Sequence, residues 1–170
     1  MTRYSYTALD LVKKINYNGA KEVSYQYNKV GELVQMDDWT GTNTFELDLL
    51  GRLRKMTDHK GNPVSYTYDA VGNVTSVTDA LGGSTTYRYD ETGNMTSVTD
   101  ANGNTTGYTY DALGRAVAVT DANGGVTRAE YDHNGNIVKA VDAESNATTY
   151  VYDALDRLTS YTNAEGYTFS

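Results

Sequence analysis

The stretch Tyr108–Asp121, YTYDALGRAVAVTD, decides the fold because the chain keeps spelling it. YTYDAVGNVTSVTD occupies Tyr66–Asp79, YRYDETGNMTSVTD occupies Tyr87–Asp100, and YVYDALDRLTSYTN occupies Tyr150–Asn163. Aligned on this phrase, the chain divides into eight units opening at Tyr4, Tyr25, Phe45, Tyr66, Tyr87, Tyr108, Ala129 and Tyr150, with six spacings of 21 residues and one of 20. Nearly the whole sequence belongs to the array, so residues 1–170 read as a single repeat domain without a linker.

The columns of the alignment carry the structural signal. A first ring position and a second, two residues later, hold Tyr66 and Tyr68, Tyr87 and Tyr89, and Tyr108 and Tyr110. An acidic column follows at Asp69, Asp90 and Asp111, then a glycine column at Gly72, Gly93 and Gly114. Two aliphatic columns come next, as at Val74 and Val77, then a second carboxylate column (Asp79, Asp100, Asp121) and a second glycine column (Gly82, Gly103, Gly124). Tyr-x-Tyr puts two rings on one face of a strand, because side chains alternate with period two. Segments such as NVTSVT and TTYRY are rich in β-branched and aromatic residues, and the Asn-Gly and Asp-rich stretches between them suit tight turns. Each unit is therefore predicted to be two short strands and two turns. ALDLVKKI is the one helical-looking stretch, and the repeat register overrules it. Val74 and Val77 are three apart, which a flat strand sends to opposite faces. Either a bulge re-aims one of them or both faces are partly covered.

A lone two-stranded hairpin is marginal in water, so each unit needs neighbours that extend the sheet and stack on its rings. The expectation is an all-β array of eight hairpins in a continuous, spiralling antiparallel sheet. Its two open edges would be covered by further repeats or by self-association.

Composition narrows the function classes. A formal charge of −8 argues against nucleic acid, whose binders carry a basic footprint. There is no cysteine, hence no disulfide framework and no thiolate chemistry. No apolar run approaches a membrane span, and MTRYSYTALD has no signal-peptide pattern. Sixteen Tyr stand against two Phe and one Trp, a choice that fits rings covered on one side with hydroxyls reaching a partner.

Asp100-x-Asn102-x-Asn104 and Asp132-x-Asn134-x-Asn136 space oxygens as the start of a calcium loop does, but glycine falls fourth and no glutamate stands twelfth. Turn-capping Asp and Asn is the favoured reading, and no metal or cofactor is expected. A carboxylate recurring once per unit does the same turn job each time, whereas catalysis needs one special pocket. His59 and His133 lie in turns with no nucleophile motif nearby, so no catalytic residue is assigned. The Tyr columns fit either a stacked ladder or, less well, flat faces offered to sugar rings. Trp39, in the short unit, fills a missing residue's space, covers an edge or marks a contact.

The phrase Y-x-Y-D-x-x-G-x-L/V-x-x-V-T-D-x-x-G resembles the YD repeat of the Rhs and YD-repeat proteins, which include bacterial polymorphic toxins, insecticidal toxin complexes and the animal teneurins. The resemblance runs from residue 4 to about 168. It implies a spiral of β-hairpins winding into a hollow shell that encloses a toxic C-terminal domain or serves extracellular adhesion. Such shells use many more than eight units, so this chain would form an arc of one. The self-cleaving Asp-Pro-Gly-type segment of bacterial Rhs cores has no counterpart, since the only proline is Pro63 in KGNPVS. The resulting expectation is a non-enzymatic structural module of an encapsulating or surface-displayed protein, secreted or at the cell surface. The alternative is a glycan- or protein-binding adhesion module using exposed Tyr and Asp. The partners implied are further YD repeats, an enclosed toxin domain or a glycan.

Overall fold

The computed structural model describes residues 2–17, 19 and 21–170; Met1, Asn18 and Ala20, which the 1–170 reading includes, lie outside the described residues. Seventeen strands follow in chain order, with no helix among the described residues. They are β1 (Thr2–Tyr6), β2 (Val12–Tyr17), β3 (Lys21–Tyr27), β4 (Leu33–Asp38), β5 (Gly41–Leu47), β6 (Leu53–Thr57), β7 (Pro63–Tyr68), β8 (Val74–Thr78) and β9 (Ser84–Tyr89), then β10 (Met95–Thr99), β11 (Thr105–Tyr110), β12 (Ala116–Thr120), β13 (Val126–Tyr131), β14 (Ile137–Val141), β15 (Ala147–Tyr152), β16 (Leu158–Thr162) and β17 (Thr168–Phe169). The all-β hairpin repeat predicted from the period is the fold. ALDLVKKI is no helix; its second half is β2.

Two compact units divide the chain, Met1–Thr85 and Thr86–Ser170, with the division inside β9. Within the first, strands from β1 to β8 pair antiparallel with the next in sequence. Within the second, β9 to β17 do the same.

The register answers the question raised by Val74 and Val77. Tyr66 sits opposite Val77 and Thr67 opposite Ser76, but Tyr68 sits opposite Val74, so Thr75 is the extra residue of a β-bulge. Directly opposed residues share a face, so the bulge brings both valines to the face of both rings. The same step recurs in every hairpin: Tyr4 faces Ile15 and Tyr6 faces Val12 at one end, Tyr150 faces Tyr161 and Tyr152 faces Leu158 at the other. The opposite face carries polar pairs such as Gln26 with Gln35 and Glu130 with Lys139.

The ring face is half covered rather than enclosed. Among the described residues only Val23 and Asn43, each 8% exposed, count as buried, and no side chain is fully buried. Val23 lies opposite Ile15 and Asn43 opposite Met36, where the second strand of one repeat meets the first strand of the next.

The single 20-residue spacing arises at the turn after β4. Asp38 pairs with Gly41 across a loop of only Trp39 and Thr40. Gly41 has φ +139°, and a Cβ there would lie 2.7 Å from His59 Cβ, so this shortened turn admits only glycine.

Candidate functional site: the seam between repeats

From the third repeat on, both turns of a repeat are built the same way. Asp69 N–H donates to Asn73 O and Gly72 N–H to Asp69 O, a type I turn closed by a glycine in the left-handed region. The Asp69 carboxylate accepts from the backbone N–H of Val71, Gly72 and Asn73 through Oδ1, and from Asn73 Nδ2 through Oδ2. Asp79 repeats the backbone pattern in the turn that links one repeat to the next, accepting from Leu81 and Gly83 N–H. Asp10 and Asp156 occupy the glycine column yet keep its left-handed backbone, both at φ 59°. Asp156 uses its carboxylate there: Oδ1 accepts from Asn134 Nδ2 and Asn136 Nδ2 of the preceding repeat, each at 2.8 Å.

At several turns such hydrogen bonds favour the ionised carboxylate. The Thr92 hydroxyl, followed by the Asn94 amide, lowers Asp90 to about 2. Asn104 likewise holds Asp100, and Asn136 holds Asp132, below the ordinary carboxylate value. The geometry accounts for the calcium-like spacing. Asp100 spends Oδ1 on the N–H groups of Asn102 and Asn104 and Oδ2 on Asn104 Nδ2. Asp132 does the same with Asn134 and Asn136.

The seam itself is made by the second ring of each pair. Tyr110 Oη donates to Met95 O at 2.8 Å, Tyr68 Oη to Leu53 O at 2.7 Å and Tyr131 Oη to Ala116 O at 2.9 Å, always fifteen residues back. The paired residues of β10 and β11 run only from Ser97–Gly107 to Thr99–Thr105. Met95 lies beyond the end of that ladder, and the phenol takes the place of a missing strand partner. Tyr27 and Tyr152 make the same bond to Val12 O and Ile137 O. The first rings, Tyr66, Tyr87 and Tyr108, are half-buried opposite Val77, Val98 and Val119. At Tyr25, burial pushes the phenol above its ordinary value.

A second stitch, which the sequence reading missed, comes from the residue after the column glycine. Arg115 Nε donates to Asp111 Oδ2 at 2.7 Å, its Nη1 donates to Asp132 O at 3.0 Å, and its guanidinium lies 4.6 Å from the Tyr131 ring centre. Arg52 repeats this with Asp48, Asp69 O and Tyr68. The signal was present as Gly-Arg at Gly51–Arg52 and Gly114–Arg115, but nothing in the sequence says that this arginine spans to the next turn.

Other candidates are placed apart from one another. Trp39 is 55% exposed, stands edge-on to Tyr17 with centroids 6.5 Å apart, and has Lys21 Nζ 4.7 Å from its ring. It therefore leans over the flanks of the preceding linking turn instead of filling a gap. His59 packs on Gly41, and His133 lies in a turn of the other compact unit. An open groove of about 680 Å³ runs between the Asp90 and Asp111 turns, with Tyr108 and Tyr110 in its wall. The carboxylates of both turns are already engaged with their own backbone. No helix among the described residues is long and apolar enough to cross a membrane.

The comparisons agree with this geometry. The RHS Repeat family profile matches residues 48–84, 68–105, 89–126 and 131–168, well over half of the chain. No curated protein matches the sequence. Among solved structures, the chain resembles a Tc holotoxin pore of Photorhabdus luminescens at TM-score 0.73 and 16% identity, over 98% of this chain and 11% of that one. A TcdB2-TccC3 crystal structure follows at TM-score 0.72 and 16% identity, over 98% and 12%. A TcdB2-TccC3-Cdc42 structure follows at 0.61 and 23%, over 95% and 9%. At these identities the likeness is one of fold, and the chain spans about a tenth of the length of each of these proteins.

Proposed function

Since the chain belongs to the RHS repeat family, we propose that it is a stretch of load-carrying wall: a non-enzymatic structural module that supplies hairpins to a larger encapsulating shell or surface scaffold. The observation that carries this is the seam. Tyr27, Tyr68, Tyr110, Tyr131 and Tyr152, with the two Gly-Arg arginines, hold their repeats to a neighbour, which commits these recurring polar groups to architecture. The Tc proteins it resembles in fold are about nine times longer than this chain; under this reading the parent protein encloses a toxin domain and is secreted or displayed at the surface. Its partners are further repeats of the same kind. The test is protease protection in the longest natural chain that contains this sequence. Other domains of that chain should resist digestion until the array is unfolded; domains cut as fast as their isolated forms would contradict an enclosing role.

A second reading, glycan or protein binding, draws on Trp39 and the groove beside Tyr108. Trp39 is the chain's only tryptophan, so a glycan panel read by its fluorescence separates the two. Silence favours the scaffold, and a saturable response favours binding.

A further inference from the structure

The two kinds of turn share one geometry but not one chemistry. At the third residue of the linking turns stand Lys60, Asn102, Asn123, Glu144 and Glu165, with Leu81 the exception. At the same position of the turns inside repeats, the first compact unit has Leu9, Val30, Leu50 and Val71, which are 64%, 77%, 75% and 84% exposed, and Leu49 beside them is wholly exposed. The turn does not ask for these residues, because the identical hydrogen bonds form around Asn102 and Asn123. Leucine and valine are also poor choices for an exposed turn tip. Four successive turns on one edge of Met1–Thr85 thus present an apolar row to solvent, of the kind that marks an interaction surface. In Thr86–Ser170 the row is interrupted by Thr92 and Asn134.

We propose that this row is a docking edge for a second copy of the chain, turn tips against turn tips about a two-fold axis. Period supplies the partner. Successive tips lie two strands apart, about 10 Å, and a partner that meets all four at once must carry the same step, which another copy of the array does by construction. An isologous contact then lets each row cover the other. Charge permits it. Residues 1–85 hold nine basic and ten acidic side chains and are close to neutral, whereas residues 86–170 hold five and twelve. This contact differs from pairing through the open strand edges at β1 and β17, and it does not depend on the shell reading.

The experiment is sedimentation of the intact chain across a concentration series, beside the double variant Val30→Asp/Leu50→Asp and the control Leu81→Asp on the opposite edge. Aspartate suits a turn tip, and circular dichroism verifies that each variant keeps its sheet. The expected result is a reversible dimer in the parent and in Leu81→Asp, with the double variant dissociating at least about tenfold more readily. A parent chain that stays monomeric at every concentration would overturn the proposal. So would association that survives both aspartates, including association abolished instead by Tyr4→Lys on the outer strand β1.

Discussion

The Tyr110 hydroxyl donates to the Met95 carbonyl at 2.8 Å, and between these two residues lie the rest of β10, a full turn and most of β11. The bond joins one hairpin to the one before it at the point where their ladder stops at Ser97 and Gly107. Removing the oxygen alone, in Tyr110→Phe, leaves the ring in place and a partly covered carbonyl without its donor. The expected cost is about 0.5–1.5 kcal/mol, read by urea denaturation. A cost near zero would mean that water replaces the phenol freely.

Arginine at the seam is not replaceable by lysine. Arg115 holds the Asp111 carboxylate, the Asp132 carbonyl and the Tyr131 ring face together, and a single ammonium matches neither the fork nor the stacking. Arg115→Lys should lower stability by about 1 kcal/mol. Arg157→Lys, at a side chain that is 73% exposed, should be nearly silent. The two variants compared in parallel thermal melts check this, and equal effects would contradict it.

Backbone conformation separates two glycines. Gly82 has φ +86° with open space where a Cβ would go, so Gly82→Ala costs only the left-handed strain, about 1–2 kcal/mol. Gly107 lies in β11 outside the left-handed region, and its added Cβ would meet Thr120 at an ordinary 3.8 Å. Gly107→Ala should be neutral or stabilising by up to about 1 kcal/mol. Chemical denaturation of both variants tests the contrast.

Acid should loosen the array. Asp90 is lowered to about 2 by the Thr92 hydroxyl and the Asn94 amide, and Asn62, Asn104 and Asn146 lower Asp58, Asp100 and Asp142. A carboxyl whose folded value lies below its unfolded value, about 3.9, stabilises fully above that unfolded value and loses the effect as pH falls through the folded value. Melting temperature should thus stay flat from pH 8 to 5 and drop between about pH 4 and 2. A fall that begins near pH 6 would contradict this.

The columns made most of the fold legible: ring, carboxylate, glycine and aliphatic positions all fall where one hairpin per period puts them. What stayed hidden had no residue signature. The bulge residue is Lys13, Val34, Arg54 or Thr75 in successive hairpins, because an unpaired position constrains backbone and not side chain. Burial of the rings depends on neighbours twenty residues away, so whether Tyr66 is covered could not be read from its own strand. For the same reason the sequence left Trp39 open between filling space, covering an edge and marking a contact, since its contacts are with Tyr17 and Lys21 across the preceding turn. The arginine stitch is a long-range geometry written in an ordinary Gly-Arg dipeptide.

Both aliphatics and both rings of a repeat share one face, made possible by the bulge. Nuclear Overhauser contacts in the isotope-labelled chain measure this directly. The Val74 methyls should reach the Tyr68 ring and the Val77 methyls the Tyr66 ring, with Thr75 outside the paired register and its hydroxyl beside that of Thr67 on the other face. Val74 and Val77 contacting opposite faces of the sheet, or Thr75 paired in a regular ladder, would contradict it.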